Sequence, residues 1–199
     1  MSAVLVASIY IIWVLLLILA VAVFALYRYF GQMYVNSAEG REKQGPEVGS
    51  SLLSIAREDV HDKPLTLPVA RPTLIMFADT TCDICSYLRD HLSALDEYAN
   101  RIEIVVFCSG QHHDVEAWAS RVPAHVRVIA DVRAKAAHHY EVNGTPFMIS
   151  VGMAGIVQAK GIVNTEEGLV WAAEEALSSQ PDTVGVQKAG VQKAEATHT

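Results

Sequence analysis

The pair of cysteines in Cys82-Asp83-Ile84-Cys85 constrains the fold more than any other feature of this sequence. The pair directly follows a short apolar run, residues 73–78, which is typical of a strand buried on both faces. Apolar residues at helical spacing come next and predict a helix over residues 83–99; they are Leu88, Leu92, Leu95 and Ala99. The sequence therefore predicts a strand–turn–helix unit with both sulfur atoms at the start of the helix.

The chain after this unit alternates between apolar runs and helical patterns. The predicted strands lie at 102–108, 126–130, 147–151 and 156–160, and the predicted helices at 114–120, 134–140 and 165–177. The order β-α-β-α-β-α-β-β-α predicts an α/β fold in which parallel strands are covered by helices on both faces. The hairpin that closes this order makes the predicted sheet mixed.

A C-x-x-C pair at the start of a helix is typical of thiol–disulfide chemistry. The free N–H groups and the macrodipole of the helix favour a thiolate on Cys82, which makes it the predicted nucleophile. Cys85 lies nearly one turn later, close enough to form a disulfide with Cys82. Half of a zinc site and two inert buried thiols are the alternatives, although structural zinc needs four ligands and the sequence has no second C-x-x-C pair.

The other candidate ligands and thiols have less specific patterns. Cys108 ends a predicted buried strand, where a free cysteine behaves as a small apolar residue; a resolving thiol is the alternative. The pairs His112-His113 and His138-His139 suggest a metal, with copper as the ion. Because adjacent residues rarely point in the same direction, we predict no metal site. Thiol exchange also requires no organic cofactor.

The N-terminal segment carries no charged residue from Ala3 to Tyr27, long enough to span a bilayer. A cleaved signal peptide is the alternative, with Ala20-Val21-Ala22 as the cleavage site. However, the apolar run continues beyond that site, and no Lys or Arg precedes it. We therefore predict a single-pass transmembrane helix within residues 1–30.

Two arguments about the orientation of this helix disagree. Arg28, Arg41 and Lys43 follow the segment and nothing basic precedes it, so the positive-inside rule places the C-terminal domain in the cytoplasm. Thiol–disulfide exchange on a client with structural disulfides favours the periplasm or the cell exterior instead. We expect an extracytoplasmic domain and leave the conflict open.

Composition gives the remaining organisation of the 199 residues. Residues 31–70 are predicted as a linker and pre-domain segment, with a short helix around 52–57, and residues 71–178 as the folded domain. The tail, 179–199, repeats Gly-Val-Gln-Lys-Ala and is predicted to be disordered. The net charge of −7 argues against a nucleic-acid partner, because phosphate binding requires a basic surface.

Thr145-Pro146 begins the predicted strand 147–151. Proline has no N–H for a strand ladder, so it belongs at the start of a strand or at a bend. In a redox fold with this order of elements the X-Pro bond at this place is usually cis. It would lie against the cysteine pair and leave the backbone of Thr145 to pair with an extended client. The alternative is an ordinary trans proline in a loop.

Residues 71–177 resemble a thioredoxin-fold domain of the membrane-anchored thiol–disulfide oxidoreductases (TlpA-like), and most closely the MauD family of methylamine dehydrogenase accessory proteins. The resemblance rests on three segments: Thr81-Cys82-Asp83-Ile84-Cys85, Gly144-Thr145-Pro146-Phe147, and Ala159-Lys160-Gly161-Ile162-Val163-Asn164-Thr165-Glu166. It implies an oxidoreductase that forms, reduces or isomerises disulfides in an extracytoplasmic client such as a methylamine dehydrogenase subunit, together with an upstream thiol–disulfide electron partner. A non-catalytic assembly or copper-handling factor with the same fold is the alternative.

The chain departs from this family at the residues that tune the cysteines. The family usually has proline within the C-x-x-C, whereas this chain has Asp83 and Ile84. Thioredoxins carry a buried acid six residues before the first cysteine, where this chain has Met76. The proton acceptor for Cys85 is therefore unassigned, and Asp79 is a candidate by its proximity in the sequence alone.

Overall fold

The computed structural model describes residues 9–24 and 44–178, and the chain divides into two compact units, Met1–Lys43 and Gln44–Thr199. In the first unit, helix α1 covers residues 9–24. No helix among the described residues is both long and apolar enough to cross a membrane. Both ends of the predicted transmembrane helix, in 1–8 and 25–30, lie outside the described residues, as does the predicted tail, 179–199.

The second unit is built on a five-stranded mixed sheet. In chain order its elements are β1 (Ile55–Glu58), β2 (Pro64–Leu67), β3 (Thr73–Asp79), α2 (Asp83–Asp90), the 3-10 helix Leu92–Tyr98, β4 (Glu103–Ser109), α3 (His112–Ala119), β5 (Val126–Ala130), the 3-10 helix Val132–Ala134, α4 (Lys135–His139), β6 (Phe147–Val151), β7 (Val157–Gly161) and α5 (Glu166–Leu177). The strand order is β5-β4-β3-β6-β7. Strands β3, β4 and β5 are parallel, and β6 and β7 are antiparallel to their neighbours. The predicted α/β order and mixed sheet are confirmed.

The predicted helix over 83–99 is wrong in one respect, because it breaks at His91. Helix α2 ends there, and the chain continues as the 3-10 helix Leu92–Tyr98. The Nδ1 atom of His91 lies 2.8 Å from the carbonyl oxygen of Tyr87, which an unbroken helix would offer to the backbone N–H of the same residue. The side chain thus takes the place of a helical hydrogen bond. Leu88, Leu92 and Leu95 still face the core.

The segment before β3 folds onto the sheet. The predicted helix around 52–57 is wrong, since β1 and β2 form an antiparallel hairpin instead. The segment also pairs with both edges of the sheet: the N–H of Val60 donates to the carbonyl of Val128 in β5, and the N–H of Gly49 donates to that of Val157 in β7. Residues 44–70 therefore contribute to the structure of this unit.

The two faces of the sheet carry different cores. We call redox face the side covered by α2, the 3-10 helix Leu92–Tyr98, α3 and α5; its strand residues include Leu74, Met76, Ala78, Ile104, Val106 and Cys108. We call hairpin face the side covered by the β1–β2 hairpin and α4; its strand residues include Ile75, Phe77, Val105, Phe107, Phe147 and Ile149. Side chains alternate between the faces along each strand, as the pleat requires.

Candidate active site

The cysteine pair lies where β3 passes into α2. Cys82 and Cys85 form a disulfide, with their Cα atoms 5.2 Å apart. Cys82 is the N-cap of α2, and its sulfur accepts a hydrogen bond of 3.1 Å from the N–H of Cys85. Helix N-termini have backbone N–H groups without a helical partner, so a negative sulfur at this position is stabilised. The geometry therefore suits a thiolate on Cys82 after reduction.

The two sulfur atoms differ in accessibility. Cys82 is partly exposed, whereas Cys85 is fully buried. Between them, Asp83 and Ile84 are exposed, and Asp83 lies in the first turn of α2. An external sulfur atom can thus reach Cys82 but not Cys85. This asymmetry is what an attacking and a resolving cysteine require.

Asp79 shapes the loop that leads into the pair. Its Oδ1 accepts hydrogen bonds from the N–H of Thr81 at 2.8 Å and from the hydroxyl of Thr81 at 2.6 Å. Across the loop, Gly110 has a φ of +155°, and a Cβ there would lie 2.6 Å from Oγ1 of Thr80. Within residues 44–178, no hydrogen bond joins Asp79 to Cys85. The structure therefore assigns Asp79 a local part in holding the loop before Cys82.

Thr145 and Pro146 lie beside the end of β3. The Thr145–Pro146 peptide bond is cis. Phe147 pairs with Phe77 in the antiparallel register of β6 and β3, so the two preceding residues flank the point where β3 leads towards Cys82. Pro146 is buried and Thr145 is exposed. The sheet thus brings this proline loop to the same edge as the cysteine pair.

Cys108 is a buried free thiol on the redox face. It is fully buried and pairs with Ala78 across β3 and β4. Burial raises the pKa of Cys108 to about 12, the charge of Asp79 adds to the increase, and the charge of Arg89 opposes it. A thiol with such a pKa is almost wholly protonated at neutral pH and is a poor nucleophile. These properties favour the inert interpretation of Cys108.

Arg89 is a buried cation that sequence reasoning missed. It is 6% exposed, and its Nε donates to Oδ1 of Asp90 at 2.8 Å. Arg121 donates to the other oxygen of the same carboxylate. These contacts hold the pKa of Asp90 below its ordinary value, and the hydrogen bond from Arg89 contributes most. The signal was present in the sequence, because position 89 lies four residues after Cys85 on the apolar side of the helix.

The histidine pairs are separate from this site and exposed. His112 lies 3.3 Å from Glu116, and His113 lies 3.1 Å from Asp114, all on the surface of α3. The ring of His139 packs edge-on against Tyr140 at 4.9 Å. Among residues 9–24 and 44–178, no group of three or more side chains could hold a metal ion.

Comparison with curated proteins finds relatives of one kind. The chain is 25% identical over 176 residues to the methylamine utilization protein MauD of Methylorubrum extorquens, covering 83% of each chain. It is also 25% identical over 177 residues to MauD of Paracoccus denitrificans, covering 85% of this chain and 87% of that protein. No protein-family model matches the chain. The resemblance to MauD seen in the sequence is confirmed.

Comparison with solved structures identifies the fold. The thioredoxin domain of a thiol-disulfide oxidoreductase from Bacteroides vulgatus superposes with a TM-score of 0.57 at 16% identity, over 67% of this chain and 99% of that one. A secreted Mycobacterium tuberculosis disulfide oxidoreductase homologous to DsbE superposes with a TM-score of 0.53 at 13% identity, over 60% and 94%. The predicted thioredoxin-like fold is confirmed. Both neighbours have the enzyme class that the sequence predicts for this chain.

Proposed function

We propose that this chain is a membrane-anchored thiol–disulfide oxidoreductase that acts through Cys82 and Cys85 on an extracytoplasmic client protein. The observation that carries the proposal is the disulfide at the start of α2, with a partly exposed sulfur on Cys82 and a buried one on Cys85. The MauD relatives and the oxidoreductase fold support the same chemistry.

The exchange proceeds in two displacements. In the reducing direction, the thiolate of Cys82 attacks one sulfur of a client disulfide, and the other client sulfur leaves as a thiolate that takes up a proton. Cys85 then loses its proton to solvent, and its sulfur attacks Cys82. The mixed disulfide breaks, the first client sulfur leaves, and the Cys82–Cys85 disulfide forms. Two electrons pass to the client, and the reverse sequence oxidises a client dithiol.

The proline loop is the proposed place where the client segment docks. Thr145 is exposed directly beside the end of β3, and the cis bond to Pro146 turns the chain before β6 begins. An extended client could pair with the backbone of Thr145 as an added strand. The client sulfur would then lie next to Cys82.

The membrane anchor and the extracytoplasmic location extend the proposal beyond the enzyme class. The large apolar side chains of α1 are exposed, as they would be in a helix that contacts lipid; Trp13 and Leu17, for example, are 68% and 67% exposed. The M. tuberculosis neighbour is a secreted protein. The relatives are methylamine utilization proteins, so a methylamine dehydrogenase-type subunit is the proposed client.

The chemistry can be tested on the full chain in detergent. The protein should reduce insulin in the presence of dithiothreitol and should titrate as one two-electron couple in glutathione buffers. Cys82→Ser should abolish both results, while Cys108→Ser should leave both close to those of the original protein. A binding or copper-handling factor would give no reversible couple, and that result would sink the proposal.

The location can be tested separately in intact cells. After mild reduction, a membrane-impermeant maleimide should label Cys82, and Cys82→Ser should lose that label. Labelling only after lysis would place the domain in the cytoplasm, as the positive-inside rule has it. That outcome would overturn the location and leave the exchange chemistry intact.

A further inference from the structure

The buried face of the redox helix carries a cation one turn from the resolving cysteine. Arg89 follows Cys85 by four residues in α2, a spacing that places both side chains on the same side of a helix. Cys85 is 0% and Arg89 is 6% exposed. Arginine is almost never fully buried without a partner, so its position here requires an explanation.

The contacts of Arg89 show where its charge is directed. Its guanidinium carbon lies 5.4 Å from the centre of the Trp118 ring in α3. Arg89 also lines a cavity of about 380 Å³ together with Thr80 and Thr81, the two residues that precede Cys82. Long side chains in a helix point back towards its N-terminus. Arg89 therefore lines the same cavity as the turn that leads into the cysteine pair.

The partner of Arg89 neutralises it only in part. The carboxylate of Asp90 is shared, because one oxygen accepts from Arg89 and the other accepts from Arg121, each at 2.8 Å. Two cations thus divide one negative charge. The remaining positive charge reaches the redox face of the sheet, since Arg89 lowers the pKa of Cys108 against the effect of burial.

Within residues 44–178, the structure shows no hydrogen bond from Cys85 to an acid that could accept its proton. Met76 occupies the position six residues before Cys82, and its side chain is buried among apolar neighbours. Asp79, the candidate acceptor that the sequence suggests, uses one carboxylate oxygen to hold Thr81. A positive charge can favour ionisation of a buried thiol in another way, by stabilising the thiolate directly.

We propose that Arg89 is a positioning residue that stabilises the thiolate of Cys85 while the mixed disulfide is resolved. The inference rests on the proposed exchange function. Cys85 gives its proton to solvent, and its thiolate attacks Cys82 under the field of the guanidinium. The bond between Cys82 and the client sulfur breaks, and the client sulfur leaves with the electron pair. Arg89 neither gains nor loses a proton.

The other charged groups near Arg89 define what the test must separate. Asp79 ends β3, and Asp90 belongs to α2 itself. Asp114 and Arg121 line the same cavity from α3 and from the turn after it. Of these, Arg121 is the matched control. It contacts the same carboxylate as Arg89, but its side chain is 60% exposed.

The resolving step can be measured by itself in the full chain. All proteins carry Cys108→Ala, so that only the two redox thiols remain, and are reduced and then mixed with 5,5′-dithiobis(2-nitrobenzoate). Attack by Cys82 releases one nitrothiobenzoate, and attack by Cys85 on the resulting mixed disulfide releases the second. The rate of the second release is recorded from pH 5 to pH 10 by stopped-flow absorbance.

Arg89→Met should move the midpoint of this pH–rate profile upwards by about one pH unit, as expected for loss of one nearby opposite charge. Below the midpoint, the Cys85 thiolate is about tenfold less populated in Arg89→Met than in the protein with arginine. A more basic thiolate is a better nucleophile, with a Brønsted coefficient of about 0.45, so the net rate should fall about threefold. Above the midpoint of Arg89→Met, where both proteins are ionised, the rate of this variant should be about threefold higher. The two profiles should therefore cross.

Three variants separate charge from packing. Arg89→Lys should restore most of the profile because it retains the charge. Arg121→Met should move the midpoint much less than Arg89→Met, since an exposed cation is screened by solvent, and in the same direction, since Asp90 is then left to Arg89 alone. Asp90→Asn removes the negative charge and should move the midpoint downwards, opposite to Arg89→Met. Asp90→Asn changes an exposed side chain, so its pH–rate profile tests the role of Arg89 even if Arg89→Met does not fold.

The outcomes distinguish this inference from the proposed function. Absence of a second release in the protein with arginine at position 89 would reject the exchange function itself. A normal second release with superimposable profiles for Arg89→Met would overturn the role of Arg89. A rate lowered by the same factor at every pH would mean that Arg89 acts only through packing, and that result would overturn the role as well.

Discussion

The two faces of the sheet carry different kinds of side chain. The hairpin face is closed by large rings: Phe77 stacks on Phe107 with centroids 5.4 Å apart and meets Tyr140 edge-on at 6.0 Å. The redox face presents smaller side chains from the same strands and includes two buried cysteines and a buried arginine. The same strands thus build an apolar support on one side and a reactive, partly charged layer on the other.

This difference shows how a helix can be held firmly while its sulfur chemistry is adjusted. Aromatic packing on the hairpin face supplies apolar contact area without any charge. The polar groups of the redox face are then free to be chosen for their effect on the cysteines. Substitutions on the two faces should accordingly change different measured quantities.

The largest expected effect is loss of activity from the cysteine pair. Cys82→Ser should reduce insulin reduction to the uncatalysed rate, because the attacking sulfur is gone. Cys85→Ser should leave the attack intact and trap the client, giving a band on non-reducing gels that disappears with reductant. The double substitution should abolish that band. Formation of the same adduct through Cys108 would contradict the assignment of roles.

On the hairpin face, the expected loss is of stability. Phe107→Ala should lower the free energy of unfolding by about 3–5 kcal/mol, because it removes a buried ring and leaves a cavity. Phe107→Leu should cost less because the cavity is smaller. Urea unfolding measures both, and the activity per folded molecule should stay within twofold of the original. A shifted pH–rate profile in Phe107→Leu would break the proposed separation of the faces.

A smaller loss of stability is expected at Asp59, where the β1–β2 hairpin joins the β5 edge of the sheet. Burial opposes ionisation of Asp59, but hydrogen bonds from the N–H groups of Lys63 and His61 and from Arg127 outweigh it and lower the pKa of Asp59. Asp59→Asn should therefore cost about 2 kcal/mol at pH 7.

The pH dependence of that cost has a definite sign. A carboxyl group whose pKa is lowered by folding adds stability above its unfolded pKa of about 3.9, and this stability is lost as the pH falls through the folded pKa. Urea unfolding from pH 7 to pH 3 should show the two proteins converging at the acid end. A gap that stays constant with pH would mean that the charge of Asp59 is not the cause.

The smallest expected effect concerns Asp83 between the cysteines. Its exposed negative charge lies beside Cys82 and opposes the stabilisation of the Cys82 thiolate by the helix dipole. Asp83→Asn should therefore stabilise this thiolate and make the pair more oxidising. An exposed charge pair contributes about 0.5 kcal/mol, which corresponds to about 10 mV for a two-electron couple. Redox titration in glutathione buffers measures the change, with Glu97→Gln, a distant exposed residue, as the control. A lower potential in Asp83→Asn would contradict the argument.

The regular part of this fold could be predicted because its buried strands are short, mostly apolar runs. Residues 126–130 and 147–151 are strands with the predicted limits. The hairpin was missed because β1 and β2 have only four residues each, and β2 begins with proline. Short strands of this kind depend on contacts with the sheet that no local pattern shows.

The candidate active site could likewise be predicted only in part. Cys82 and Cys85 could be placed at a helix start because their spacing and the preceding strand are both local signals. The break at His91 depends on one imidazole contact with a carbonyl, which spacing alone does not reveal. Arg89 lay within the predicted helix, but its burial depends on Trp118 and Asp90.

The pairing of residues 44–70 with both sheet edges has a consequence for selectivity. A protein that handles partly folded clients meets extended chains with unpaired N–H and C=O groups, which add readily to any open strand edge. Here Val60 occupies part of the β5 edge, Gly49 pairs with the start of β7, and Leu52 pairs with Gly155 in the turn before it. A client strand that added at those edges would be held away from Cys82 and could aggregate there. If a client docks as proposed, blocking these places would direct strand addition to the proline loop, where binding leads to reaction.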